Sequence, residues 1–310
     1  MRSPIAILCS GQGDQHRAMF ALTGGAPEAA AVFATATELL AGQDPRRLVQ
    51  EAAEPALFEN YCGQILCCTQ ALAFWASLGD AIPEQAIFAG YSVGELAAWG
   101  CSGMVEPAEL LQLASQRARG MNDASPPDSG LAAIVGLRQQ ALQLVLQGQE
   151  VMIAIKNGET SFVVGGRRPA LEAVCQAATQ KGARRAVILR VCVSSHTALL
   201  AKATPLFAEF CAQAPVKMPR DGWEVLSGID AERISDVTTA RDKLSRQISE
   251  RLDWSGCMEA CHELGTRTAL ELGPGNALSR MATQQLPTLR VRSIEDFRTI
   301  EGIRSWLNRS

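Results

Sequence analysis

Apolar residues fall into two kinds of pattern along this chain. Short unbroken runs, "IAILCS" at 5–10 and "QAIFAG" at 85–90, are bounded by glycine or polar residues and predict buried strands. Longer stretches carry apolar residues at helical spacing. Helical segments are predicted from the first glycine turn to about residue 80. "GELAAWGCSG" continues as a helix from Gly94 and stops at Gly103. "EPAELLQLASQRARGMNDA" is amphipathic with Pro107 near its start, and "SPPDSG" at 125–130 breaks it. The pattern then changes. "LAAIVG" reads as a strand, "RQQALQLVLQG" as a helix, and "VMIAIKNGETSFVVGG" as two strands turning at Asn157-Gly158. "RRPALEAVCQAATQKG" is a helix and "RRAVILRVCV" a strand. The order β-α-β-β-α-β is that of a ferredoxin-like module. These signals predict an α/β protein: an α/β-hydrolase-like domain over 1–127 and 198–310, with a ferredoxin-like insert over 128–197.

Composition narrows the class. The chain has 310 residues, is 47% hydrophobic and carries a net charge of −3, which allows a large core and gives no sign of a general nucleic-acid or membrane-surface binder. The charge is unevenly shared: residues 128–197 hold eight Lys/Arg against four Asp/Glu. The insert is thus near +4 and the remainder near −7, which suggests either a solvated face or a surface for an acidic partner. The N-terminal apolar run is too short for a signal-peptide core, and no stretch reaches the roughly 18 residues of a membrane span. The ten cysteines are irregularly spaced and lie mostly in apolar runs, as reduced thiols do in a cytoplasmic protein. "CMEACHE" (Cys257, Cys261, His262) is a partial metal pattern without a second pair, so no metal is expected.

Candidate chemistry centres on Gly90-Tyr91-Ser92-Val93-Gly94. A Gly-x-Ser-x-Gly segment between a strand and a helix forms a tight turn that exposes the serine hydroxyl at the sheet edge. The Val93 amide then lies at a helix N-terminus, where it can donate to an oxyanion. The alternative is an ordinary loop serine. A base must come from His16, His196 or His262. His196 in "VCVSSHTALL" sits between a strand and a helix, where a loop can present an imidazole to the sheet edge; His262 falls in a predicted helix, and His16 follows the first glycine turn. Gly11-Gln12-Gly13 also follows a strand, and the Gln12 amide is a second possible oxyanion donor. It lacks the spacing of a phosphate loop. A serine hydrolase with Asp230 or Asp253 and His262 fits the same elements.

Six segments in order resemble the malonyl-CoA:acyl-carrier-protein transacylase family: "SGQGDQ", "GYSVGE", "RARGMN", "VSSH", "RQISERLDW" and "ELGPGNAL". The resemblance implies that Ser92 attacks a thioester, His196 takes its proton, and the Gln12 and Val93 amides hold the oxyanion. It implies that Arg117 pairs with the malonyl carboxylate and that Gln247 helps position the site. Arg119, two residues along the helix, would face about 200° away. The implied substrate is malonyl-CoA, the implied partner an acyl carrier protein, and no bound cofactor is implied. Tyr91 stands where the family usually has His, Cys9-Ser10 where it has Phe-Pro, and Ile155 where it has Asn. Within the family the chain looks most like the transacylase (epsilon) component of malonate decarboxylase, whose own carrier protein would then be the acceptor.

Overall fold

The computed structural model describes residues 3–309. Its strands are β1 (Ile5–Cys9), β2 (Ala86–Gly90), β3 (Ser129–Val135), β4 (Val151–Gly158), β5 (Ser161–Arg167), β6 (Arg185–Ile188), β7 (Trp223–Val225), β8 (Leu252–Asp253), β9 (Thr268–Leu272) and β10 (Arg290–Ser293). One sheet runs β10-β9-β1-β2-β7 with every neighbour parallel. Its central strands β1, β2 and β9 are buried along their whole length, as strands of a parallel sheet covered on both faces are. The helix Asn60–Leu78 is buried on nearly every side. It packs against the helices Ala30–Leu39, Gly94–Cys101 and Pro107–Ala124, which explains why its sequence shows almost no polar face. The result is the α/β fold with a parallel sheet that the apolar runs predict.

The second sheet runs β6-β3-β5-β4-β8. The pairs β6–β3, β3–β5 and β5–β4 are antiparallel, in the strand order of a ferredoxin-like unit. The amphipathic helices Gln139–Leu146 and Arg168–Gln180 supply Leu142, Leu171 and Val174 to a separate apolar core with Ile134, Phe162 and Val164. The chain enters this sheet at Ser129 and leaves it at Ile188, then returns once: β8 pairs in parallel with β4 at Ile155–Leu252 and Lys156–Asp253.

Three details depart from the sequence reading. The hairpin turns at Glu159-Thr160, not at Asn157-Gly158, which belong to β4. The register of β4 shifts between Lys156 and Gly158, so the Asn-Gly pair sits in an irregular strand end. The last strand of the unit covers only Arg185–Ile188, because residues 189–197 turn away toward the parallel sheet. The two-residue β8 carries no periodic signal at all.

Candidate active site

Ser92 lies between the end of β2 and the helix Gly94–Cys101, with φ at +57°. The flanking glycines are dictated by space. A Cβ on Gly90 would lie 2.1 Å from the Glu95 amide nitrogen, and one on Gly94 would lie 2.1 Å from the Cys9 carbonyl oxygen. Both neighbours are backbone and cannot swing aside. The first glycine turn rests on the same elbow: a Cβ on Gly11 would come within 2.6 Å of the Tyr91 carbonyl oxygen and 3.6 Å of Ser92 Cβ. The two glycine turns therefore lie against each other.

His196 is the histidine that reaches the serine. It too has a positive φ, +62°, and its amide donates to the Ile248 carbonyl at 2.8 Å. Ser92 Oγ and His196 Nε2 are 2.8 Å apart, and His196 Nδ1 lies 2.6 Å from the Gln247 carbonyl oxygen. A carbonyl only accepts, so Nδ1 carries the proton and Nε2 offers its lone pair to the serine hydroxyl. Burial, and then the Arg117 charge, push the imidazole down to about 3, against the Gln247 hydrogen bond. The ring is therefore neutral near pH 7, with its Nε2 lone pair directed at the serine hydroxyl. The other two histidines lie elsewhere. His16 Nε2 is 2.7 Å from Glu295 Oε1, and that hydrogen bond raises its pKa. His262 is on the helix Trp254–Glu263. Asp230 is paired with Lys243 at 2.7 Å, and Asp253 with Lys156 at 3.3 Å while it caps that helix. Neither aspartate orients the His196 ring.

Arg117 is fully buried. Its Nη1 donates to Gln64 Oε1 at 2.7 Å, its Nη2 to Gln247 Oε1 at 3.0 Å, and Nη2 also lies 3.5 Å from Ser92 Oγ. Among the described residues no carboxylate pairs with it directly. Burial pushes the guanidinium down to about 10, which leaves it charged at neutral pH. Arg119, on the other side of the same helix, stacks over the Tyr61 ring at 5.3 Å. Gln247 is fully buried between three groups. Its main chain holds the histidine, its side-chain oxygen holds Arg117, and its Nε2 donates to Glu95 Oε2 at 2.5 Å.

Among the described residues no group of the chain accepts from the Gln12 or Val93 amide. Val93 is the residue before the helix Gly94–Cys101, so its N–H sits at the positive end of that helix. The Gln12 side chain donates to Asn60 Oδ1 at 3.1 Å, and Asn60 also accepts from Gln64 at 2.8 Å. Gln64, Asn60 and Glu95 escape sequence reasoning. The first two sit in an almost wholly buried helix, where polar residues need partners, and Gln12 and Arg117 supply them from 48 and 53 positions away. The third follows the elbow in the first turn of the next helix, where it reads as an ordinary acidic residue near a helix start. Asn60 also lines a cavity of about 640 Å³ with Phe58, Asn122, Arg190, Cys192 and Val193. Cys257 and Cys261, of the partial metal pattern, are buried.

Residues 7–227 match the acyl transferase domain family, and the chain belongs to that family. It is an enzyme of acyl transfer built around the serine elbow. The curated relatives it resembles are malonyl CoA-acyl carrier protein transacylases. That of Salmonella typhimurium is 29% identical over 300 residues, covering 94% of this chain and 96% of the relative. The fold matches the structure of the malonyl CoA-acyl carrier protein transacylase from Coxiella burnetii, with a TM-score of 0.89 and 26% identity over all of this chain and 98% of that one. It also matches a type II PKS acyl-carrier protein complex with its malonyl-transacylase, with a TM-score of 0.88, 28% identity, and 98% and 99% coverage. No helix among the described residues is long and apolar enough to cross a membrane.

Proposed function

We propose that the enzyme transfers a malonyl group from malonyl-CoA to the prosthetic-group thiol of an acyl carrier protein. One observation carries the reading: a neutral imidazole at 2.8 Å and a guanidinium at 3.5 Å converge on one serine hydroxyl. The first makes a nucleophile; the second selects an acyl group that ends in a carboxylate. Ser92 Oγ attacks the thioester carbonyl carbon as its proton passes to His196 Nε2. The amides of Val93 and Gln12 receive the oxyanion. The C–S bond breaks, His196 returns the proton to the departing thiolate, and the malonyl-serine ester remains. A carrier thiol then repeats the sequence in reverse. In the ester the malonyl carboxylate is three bonds from Ser92 Oγ, on the same hydroxyl that Arg117 Nη2 approaches at 3.5 Å. Burying that carboxylate unpaired would be costly, and the guanidinium offers a charged donor pair.

The cavity beside Asn60 is the proposed seat of the pantetheine-like arm. Its lining mixes apolar surface at Pro55, Phe58 and Val193 with the amides of Asn60 and Asn122 and the charged side chains of Glu54, Glu59 and Arg190. As the narrower proposal, the acceptor is the carrier protein of malonate decarboxylase. The "SGQGDQH" and "GYSVGELAAWG" segments support this, since they look most like that system's transacylase component. Malonyl transfer to that carrier and to a fatty-acid-synthesis carrier, measured side by side, tests it. Faster transfer to the fatty-acid carrier discards the narrower proposal. Release of CoA at one rate with and without any carrier replaces both with a hydrolase.

A further inference from the structure

Glu95 lies one helical turn past the nucleophile and is 1% exposed. A buried carboxylate so close to a reactive serine needs a reason, because burial disfavours its charge. Its Oε2 accepts from the Gly228 amide at 2.9 Å and from Gln247 Nε2 at 2.5 Å. Its Oε1 has no hydrogen-bond partner among the described residues. It touches neither the histidine nor the guanidinium by a hydrogen bond. What it touches is the side chain that links them.

A side-chain amide is nearly symmetric in shape but not in chemistry: one end accepts and the other donates. Gln247 must present its oxygen to Arg117, since a guanidinium has donors only. That orientation holds only if the other end of the amide meets an acceptor. Glu95 is that acceptor, fixed in turn by Gly228. A Cβ on Gly228 would lie 2.9 Å from Glu95 Oε2, so the backbone there is pressed against the carboxylate. We propose that Glu95 is a positioning residue for acyl-group selection: by holding Gln247 Nε2 it turns the Gln247 oxygen onto Arg117 and so aims the guanidinium at the carboxylate of the acyl group on Ser92. This rests on the malonyl-transfer reading above. Without Glu95 the Gln247 amide is free to invert, and its NH₂ then faces the donors of Arg117, which swing away from Ser92.

The closing experiment compares acylation rates with malonyl-CoA and acetyl-CoA for wild type, Glu95→Ala and Glu95→Gln, with melting temperatures for each. A glutamine at 95 can place its carbonyl where Oε2 lies and keep both hydrogen bonds; alanine cannot. The malonyl-to-acetyl rate ratio is expected to fall about 10-fold in Glu95→Ala, the loss of one charge-assisted hydrogen bond. Glu95→Gln is expected to hold the ratio within about 3-fold of wild type, a small part of one such bond. Equal loss with both acyl groups in Glu95→Ala, or an unchanged ratio in it, overturns the proposal. So does loss of the ratio in a folded Glu95→Gln. Wild type that is acylated by neither thioester overturns the malonyl-transfer reading itself, an outcome separate from a normal wild type with an indifferent Glu95→Ala.

Discussion

Arg117→Ala separates selection from folding. In the intact protein the guanidinium satisfies the side-chain oxygens of Gln64 and Gln247 and approaches Ser92 Oγ at 3.5 Å. Truncation orphans two buried acceptors, at about 1–3 kcal/mol each. It also removes a buried cation whose pKa is pushed from 12.5 to about 10, a shift equal to roughly 3 kcal/mol of desolvation that the wild type bears. These contributions oppose each other, so the fold survives. Selection has no such offset. The malonyl carboxylate loses its charged partner, and one charge-assisted hydrogen bond of about 1.5–3 kcal/mol corresponds to roughly 10- to 150-fold. Single-turnover acylation by malonyl-CoA and acetyl-CoA, followed by intact mass, reads the ratio directly. It is expected to fall by that factor while acetyl transfer falls far less. Equal losses with the two thioesters, in a variant that melts like the wild type, would falsify the role given to the guanidinium.

Three further outcomes follow from the geometry. Gly94→Ala places a methyl 2.1 Å from the Cys9 carbonyl, and such overpacking costs about 1–3 kcal/mol or more, so its melting temperature should drop by several degrees; a melt matching wild type contradicts the steric reason for the elbow glycine. Burial raises the Glu95 carboxyl from 4.5 to about 7, so between those values the folded protein holds a proton that the unfolded chain has lost, and stability declines as pH rises through the window. Glu95→Gln lacks that decline and should gain about 3 kcal/mol on wild type between pH 4.5 and 8 in urea titrations, since His196 contributes equally to both; parallel pH profiles refute it. Arg184 and Arg185 are exposed, and Arg185 lies on the edge strand β6 of the basic insert. Reversing both to Glu should raise the carrier KM and leave acylation by malonyl-CoA intact; an unmoved carrier KM removes this face from docking.

β1 and β2 are readable because each is an unbroken apolar run, which only a covered sheet can bury, whereas the edge strands β7 and β10 are short and carry charged residues, so no apolar run marks them. The elbow is readable because its glycines have no substitute where backbone meets backbone. His196 is found by its place between a strand and a helix, although the 2.8 Å contact depends on a backbone turn that no periodicity encodes. What stays hidden is what depends on partners far along the chain. Gln64, Asn60 and Glu95 look like ordinary polar residues of buried helices until residues 117, 12 and 247 fold against them. The Asn157-Gly158 turn signal misleads because both residues are taken into the irregular end of β4, and the hairpin closes two residues later. β8 is too short for any pattern, and its pairing with β4 comes from the approach of the two sheets.

Ser92 as the covalent carrier of the acyl group is tested most directly by intact-mass spectrometry after brief mixing with malonyl-CoA. A single malonyl adduct on the wild type, absent from Ser92→Ala, is the expected result. An adduct of equal yield on Ser92→Ala would contradict it.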